Sequence, residues 1–285
     1  MAQASSVLNL NGLSSEEILK YCPSVFAEQK HESRSQRYTY IPTSQILEVV
    51  ERETGYVPTK VMQSGSRIEG KAEYTKHLVT LTHRDHLGVE LTERHQILLE
   101  NSHDGTSGYI VRDGIFRLVC TNGLIRGDIL NTYKVYHRGG DTIVGEVVES
   151  TLALGKQSEQ VMETVQEMKS VELTRQEQLL LSELGMKGRF DEDEDEQTGK
   201  TRAIDLYKPQ DFLAPHRPED YADDAFTVMN VLEENLREGN QTRRDFKNRG
   251  KKRTTRGITG IDNLTKMETL LWELTQRMVQ IKQQG

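Results

Sequence analysis

The chain has no apolar run near the roughly 20 residues a bilayer crossing needs, so no membrane partner is expected. It has two cysteines, Cys22 and Cys120, far apart and in no Cys-x-x-Cys arrangement. That excludes a disulfide framework and a zinc knuckle. Neither a Gly-x-x-x-x-Gly-Lys-Ser/Thr loop nor a Gly-x-Gly-x-x-Gly turn occurs. Nothing therefore points to a nucleoside triphosphate or dinucleotide, and no cofactor is expected. The first residues lack the basic and apolar regions of a secretory signal, and a cytoplasmic protein is expected.

What is present is polar. Of 285 residues, 35% are hydrophobic and 28% charged, and mean hydropathy is -0.66, so solvated segments are expected beside a core. The net charge of -7 is low for a duplex-DNA binder, but charge is distributed unevenly along the chain.

Residues 1–40 read as an arm with one short helix, where Ser14 and Ser15 precede the acidic first turn of Glu16 and Glu17 and Pro23 ends it. An α+β core is expected over 41–187. Thr43 or Ser44 caps a helix with the apolar face Ile46, Leu47, Val49 and Val50, stopped by Gly55. Strands follow over 56–66, 76–84 and 90–101. The runs 108–112 and 115–120, joined by Asp113-Gly114, predict a hairpin. Residues 142–181 turn helical, and Thr174 starts a helix ending near Gly185. A linker over 188–204 carries the acidic run 191–196. The remainder, 205–285, reads as helical, with an amphipathic helix over 219–238 closed by Gly239. A basic loop over 241–256 precedes a last helix, 264–281, that carries the only tryptophan, Trp272. The fold class is α+β: an antiparallel β-meander core preceded and followed by helices, with a helical C-terminal part.

Three groups of residues carry candidate chemistry. His103 and Asp104, in Asn101-Ser-His-Asp-Gly105, offer an imidazole and a carboxylate as metal ligands or as acid and base, with His137 and Asp141 as further ligands. The competing reading is a tight turn, which selects these same residue types. His77, His83, His86 and His95 add imidazoles without zinc spacing, and His77 and His83 share one face of a continuous strand. Cys120 ends an apolar strand and is expected to be inert. The second group is a basic sheet face. Lys76, Arg84, Arg94, Arg112, Arg117 and Arg126 lie in or near the strands, Arg117 on the face opposite Phe116 and Leu118, with Tyr109, Tyr133 and Tyr136 nearby. Such a face suits phosphates and stacked bases, and a plain solvated face competes with that reading. The third is the basic stretch itself: Arg243, Arg244, Lys247, Arg249, Lys251, Lys252, Arg253 and Arg256 against Asp245 alone. It suits non-specific phosphate contact, pairing with the acidic run, or simple solvation.

The strings Asn101-Ser-His-Asp-Gly-Thr-Ser-Gly-Tyr109, Gly114-Ile-Phe-Arg-Leu-Val-Cys-Thr-Asn-Gly-Leu124 and His137-Arg-Gly-Gly-Asp141 resemble the core signature of the domain-of-unknown-function 932 family. The segment from Val25 to Pro42 is similar to that family's prophage branch. Glu233-Glu-Asn235, Gly239 and the 257–261 region also match in kind, and Gly108 departs from the small residue, Ser or Ala, expected there. The resemblance covers most of the chain and implies bacterial mobile-element biology, on plasmids and prophages, with nucleic acid as its theme. The order helix, strand meander, long helix further resembles single-strand annealing proteins of the Rad-fifty-two and Red-beta type. Element order is a fold-level analogy. Three functions are weighed: a homo-oligomeric protein binding single-stranded DNA in recombination or annealing, a metal-dependent phosphodiester hydrolase, and an interaction protein that inhibits a host defence partner.

Overall fold

The computed structural model describes residues 5–33, 39–66, 68, 70–89, 92–117, 122–125, 132–137, 142–190 and 203–284. Arg126, Asp141, Cys120 and the acidic run 191–196 lie outside them. The chain divides into two compact units, one of residues 1–161 with 259–261, the other of 162–258 with 262–285.

The first unit begins with a short strand that the composition did not announce, β1 (Ser5–Leu8), and then α1 (Ser15–Tyr21). Ser14 caps α1 as expected: Glu17 N donates to Ser14 Oγ at 3.2 Å, and Ser14 N donates to Glu17 Oε2 at 2.8 Å. Pro23 does not merely end this helix but opens a short 3-10 turn, Pro23–Phe26. The next helix, α2 (Thr43–Thr54), is stopped by Gly55, whose φ of 76° is the left-handed cap that glycine adopts without a Cβ penalty. Its cap residue is Pro42, and Thr43 is the first helical residue, with its side chain committed elsewhere.

Four strands then build the meander: β2 (Tyr56–Gln63), β3 (His77–His83), β4 (Glu93–Asn101) and β5 (Tyr109–Arg117). Two short strands, β6 (Asn122–Ile125) and β7 (Thr132–Val135), follow. All pairings are antiparallel, in the order β1-β2-β3-β4-β5-β6, with β7 also on β5. β6 pairs with residues 114–117 and β7 with residues 109–112, so the two lie end to end along β5.

The hairpin expected at Asp113-Gly114 does not form. β5 runs straight through it, with Asp113 opposite Ile97 and Gly114 opposite Gln96 of β4. A two-residue hairpin turn needs positive φ, and neither residue has it. Residues Glu93 to Glu100 of β4 offer a continuous ladder, and Asp113 finds a buried partner in His95 at 2.8 Å. The turn sits earlier, at residues 102–108, where Gly105 has φ of 77°.

A third helix, α3 (Thr142–Lys156), joins α2 on one face of the sheet. Ile46, Leu47 and Val50 of α2 and Ile143, Val147 and Leu154 of α3 pack on Val61, Val79, Leu81, Ile97, Leu99, Tyr109 and Val111. Strand alternation places these strand residues on a single face.

The second unit takes up most of α4 (Ser158–Ser170), then α5 (Arg175–Phe190), α6 (Ala203–Leu206) and α7 (Ala225–Glu238). The helix expected to end near Gly185 continues to Phe190, whose ring packs on Tyr207 and Phe212. Asp224 caps α7, accepting from Thr227 N at 2.9 Å, so this helix starts later than residue 219. The stretch expected to be a basic loop is instead a hairpin of β8 (Thr242–Asp245) and β9 (Lys251–Thr254). A 24-residue helix, α8 (Ile261–Gln284), ends the chain, with Trp272 buried.

Candidate functional site

Two polar features stand out, one buried in the sheet unit and one exposed on the helical unit. The buried one gathers where the arm, the start of α2 and the β4–β5 turn meet β3. Thr43 Oγ1 lies at its centre, 2.9 Å from His77 Nε2, 3.3 Å from His103 Nε2 and 3.0 Å from Asn101 Nδ2. His77 Nδ1 is 2.9 Å from Ser24 Oγ, which donates to Gln63 Oε1 at 3.0 Å. Asn101 Oδ1 is 2.8 Å from His137 Nε2. Tyr40 packs edge-on against His103, and Tyr109 lies tilted against His137.

Donor counting sets the tautomers. Ser24 spends its hydrogen on Gln63, so it accepts from His77, which carries its proton on Nδ1. His77 Nε2 then takes the one hydrogen of Thr43. His103 Nε2 shares that same hydroxyl, and its Nδ1 makes no well-formed hydrogen bond among the described residues. Burial pushes the imidazoles down, to about 4 for His77, about 3 for His103 and about 4 for His137. For His103 the neighbouring imidazoles of His77 and His137 add to burial, with Asp104 and the Ser24 backbone working against it. All three rings are neutral at neutral pH.

The expected pairing of His103 with Asp104 is absent. Adjacent in sequence, they diverge in space. Asp104 turns to Lys71 at 3.0 Å and accepts from Thr106 N at 3.0 Å, which closes the turn. Burial works to raise its pKa, but the Thr106 and Lys71 contacts outweigh it and the carboxyl is held low. The turn reading of Asn101–Gly105 thus describes the geometry. No group of three or more His, Cys, Asp or Glu among the described residues is arranged to hold a metal ion. His77 and His83 do share the helix-facing side of β3. His83 lies edge-on to Tyr56 at the strand's far end, near the buried His95–Asp113 pair.

The basic residues of the sheet are not gathered into one solvent-facing row. Lys76 and Arg112 both reach Glu100, at 3.1 and 3.4 Å. Arg117, expected to face solvent or ligand, is buried, on the same side of β5 as Val111 and Ile115. Arg94 is buried too, over the Phe116 ring. Arg84 is exposed, and its Nη2 donates to the Glu51 carbonyl at the end of α2 at 3.0 Å.

The second feature is the β8–β9 hairpin. Register sets Arg243 opposite Arg253 and Arg244 opposite Lys252. Facing like charges are unfavourable, and the first pair is relieved: Arg243 is held by Asp211, and Arg253 lies 3.4 Å from buried Asp245. The second pair makes no ion pair with the described residues. Arg244, Lys247, Arg249, Lys251 and Lys252 are all exposed. The stretch thus brings the predicted cations together, two of them anchoring the hairpin and the others facing outward. Sequence reasoning missed Phe246, 83% exposed at the tip. The Asn248-Arg-Gly250 turn between two short basic runs carried that signal.

A family model described as "Domain of unknown function (DUF932)" matches residues 30–257. Two proteins of Escherichia coli K12, "UPF0380 protein YafZ" and "UPF0380 protein YfjQ", are each 35% identical over 268 residues, covering 94% of this chain and 92% of theirs. No solved structure matches.

Proposed function

The chain belongs to the domain-of-unknown-function 932 family, and within it we propose a protein that binds single-stranded DNA on mobile elements, in recombination or annealing, through the β8–β9 hairpin. One observation carries the reading: Arg244 and Lys252 face each other across the hairpin, and neither makes an ion pair with the described residues, the adjacent Asp245 being taken up by Arg253. A like-charge pair left uncompensated on an otherwise acidic chain is a standing cost, and a polyanion removes it. Lys247, Arg249 and Lys251, in the turn and at the start of β9, add further exposed cations to the hairpin.

Each phosphate neutralised releases condensed counterions, so affinity falls with salt by a log–log slope of about 0.7 per contact on a single strand. With up to five contacts the expected slope is about -3 to -4. The test is anisotropy of a labelled single-stranded oligonucleotide titrated with the full chain at several salt concentrations, with the mass in solution read alongside. A steep slope that drops by about 1.4 in Arg244→Gln/Lys252→Gln supports the reading. Absence of binding at low salt, or a slope indifferent to the double substitution, overturns it. A homo-oligomer is expected, since adjoining copies extend the contact along a strand.

A further inference from the structure

Resting on that reading, we propose that Phe246 is a base-stacking residue, so that the hairpin tip takes an unpaired base while the flanking cations hold its phosphates. Phe246 is the most exposed large hydrophobic side chain among the described residues, at 83%. Burying such a ring contributes about 1.5–3 kcal/mol, a stabilisation forgone here in the free protein.

The turn that carries the ring is built firmly. Asp245 is buried, and its Oδ1 accepts from Asn248 N at 3.1 Å. Gly250 N donates to the Asp245 carbonyl at 2.9 Å. Arg249 and Gly250 adopt positive φ, 54° and 70°, to close the loop. The Asp245 carboxylate also meets Arg253, so one buried acid ties both strands and the tip. The ring is thus presented by a braced turn whose following residues include exposed Lys247, Arg249 and Lys251.

An aromatic face beside backbone-tracking cations is the recurrent single-strand arrangement, because every base offers a π-face while duplex bases are already stacked. An anionic membrane surface would also attract the cations, but interfacial anchoring needs a broad apolar face. This tip offers one ring.

The experiment uses the full chain with a DNA oligonucleotide carrying 2-aminopurine, either single-stranded or annealed to its complement, and vesicles of anionic phospholipid as a third probe. Binding of the single strand is expected to quench the fluorophore. Phe246→Ala is expected to weaken single-strand affinity about 5- to 150-fold, with the salt slope and duplex affinity unchanged, and Phe246→Trp to preserve binding. Phe246 is exposed, so neither change threatens folding. Salt-dependent binding that persists unaltered in Phe246→Ala overturns this inference alone. So does equal weakening on single strand and duplex, or a loss confined to vesicles. A wild-type chain that binds no DNA overturns the hairpin reading itself, and the stacking role with it.

Discussion

At the scale of single residues, the structure turns on Thr43. Its position at the first turn of α2 suits a cap, and sequence alone offers either it or Ser44 for that role. In the fold its hydroxyl is instead the shared partner of two imidazoles and an amide, all buried. Thr43→Ala leaves those three groups short of a partner. An unsatisfied buried polar group costs about 1–3 kcal/mol, and the cluster relaxes in part, so a loss of about 2–4 kcal/mol is expected from urea midpoints. Thr43→Ser keeps the hydroxyl and should recover most of it. The same cluster sets an acid limit. His77, His103 and His137 have folded pKa values near 4, 3 and 4, below the unfolded value of about 6.5. A depressed histidine leaves the unfolded chain binding more protons, so stability is full above about pH 6.5 and falls as the pH drops towards 4. The slope reaches about 1.4 kcal/mol per pH unit for each ring that stays neutral in the fold. Denaturant midpoints between pH 7 and 4.5 should show that fall, and a flat profile would contradict it.

At the scale of elements, local signals were legible where local chemistry decides and misleading where a partner strand decides. The cap at Ser14, the stop at Gly55 and the β-branched, apolar run of β3 were readable because each depends on residues a few positions apart. Asp113-Gly114 was misread because its fate depends on β4, with its unbroken ladder from Glu93 to Glu100, and on His95, 18 positions away. Arg117 was misread for a related reason. Alternation assigned it a face opposite Phe116 correctly, but that face is the one the helices cover. Removing the partner tests this account. Asp113→Ala strands a buried imidazole and should destabilise the sheet unit by about 1–3 kcal/mol, whereas a true exposed turn would tolerate the change. The basic hairpin depends on Gly239. With φ of 73°, a Cβ there would lie 2.8 Å from the Arg256 carbonyl carbon and the Thr255 oxygen. Gly239→Ala should therefore displace the base of the hairpin, and weaken oligonucleotide binding more than it lowers overall helix content by circular dichroism.

At the scale of the whole molecule, the α+β class was legible from the change of period after Gly55 and the return to helical spacing at Thr142. The candidate site was legible only as charge: the sequence showed a basic stretch, but cross-strand register decides which cations are spent and which remain. The chain also divides into two compact units, each with packing of its own. The sheet unit is held by the core under α2 and α3, and the helical unit by its own apolar interior and by Arg217, which pairs with Glu234 at 2.6 Å and Asp220 at 3.2 Å. Glu234 and Asp220 are buried. Arg217→Ala takes the two guanidinium contacts from Glu234 and one from Asp220, whose carboxylate keeps the His216 and residue-217 backbone donors, and breaking the buried pair is worth about 3–5 kcal/mol. Thr43→Ala acts in the other unit. If the units unfold as separate cooperative blocks, scanning calorimetry should resolve two transitions, Arg217→Ala lowering one and Thr43→Ala the other. A single transition shifted equally by both would show that the units melt as one, and a ligand on the hairpin would then raise the melting temperature of the entire chain. With separate blocks, single-stranded DNA should raise only the transition that Arg217→Ala lowers, because the hairpin belongs to that unit.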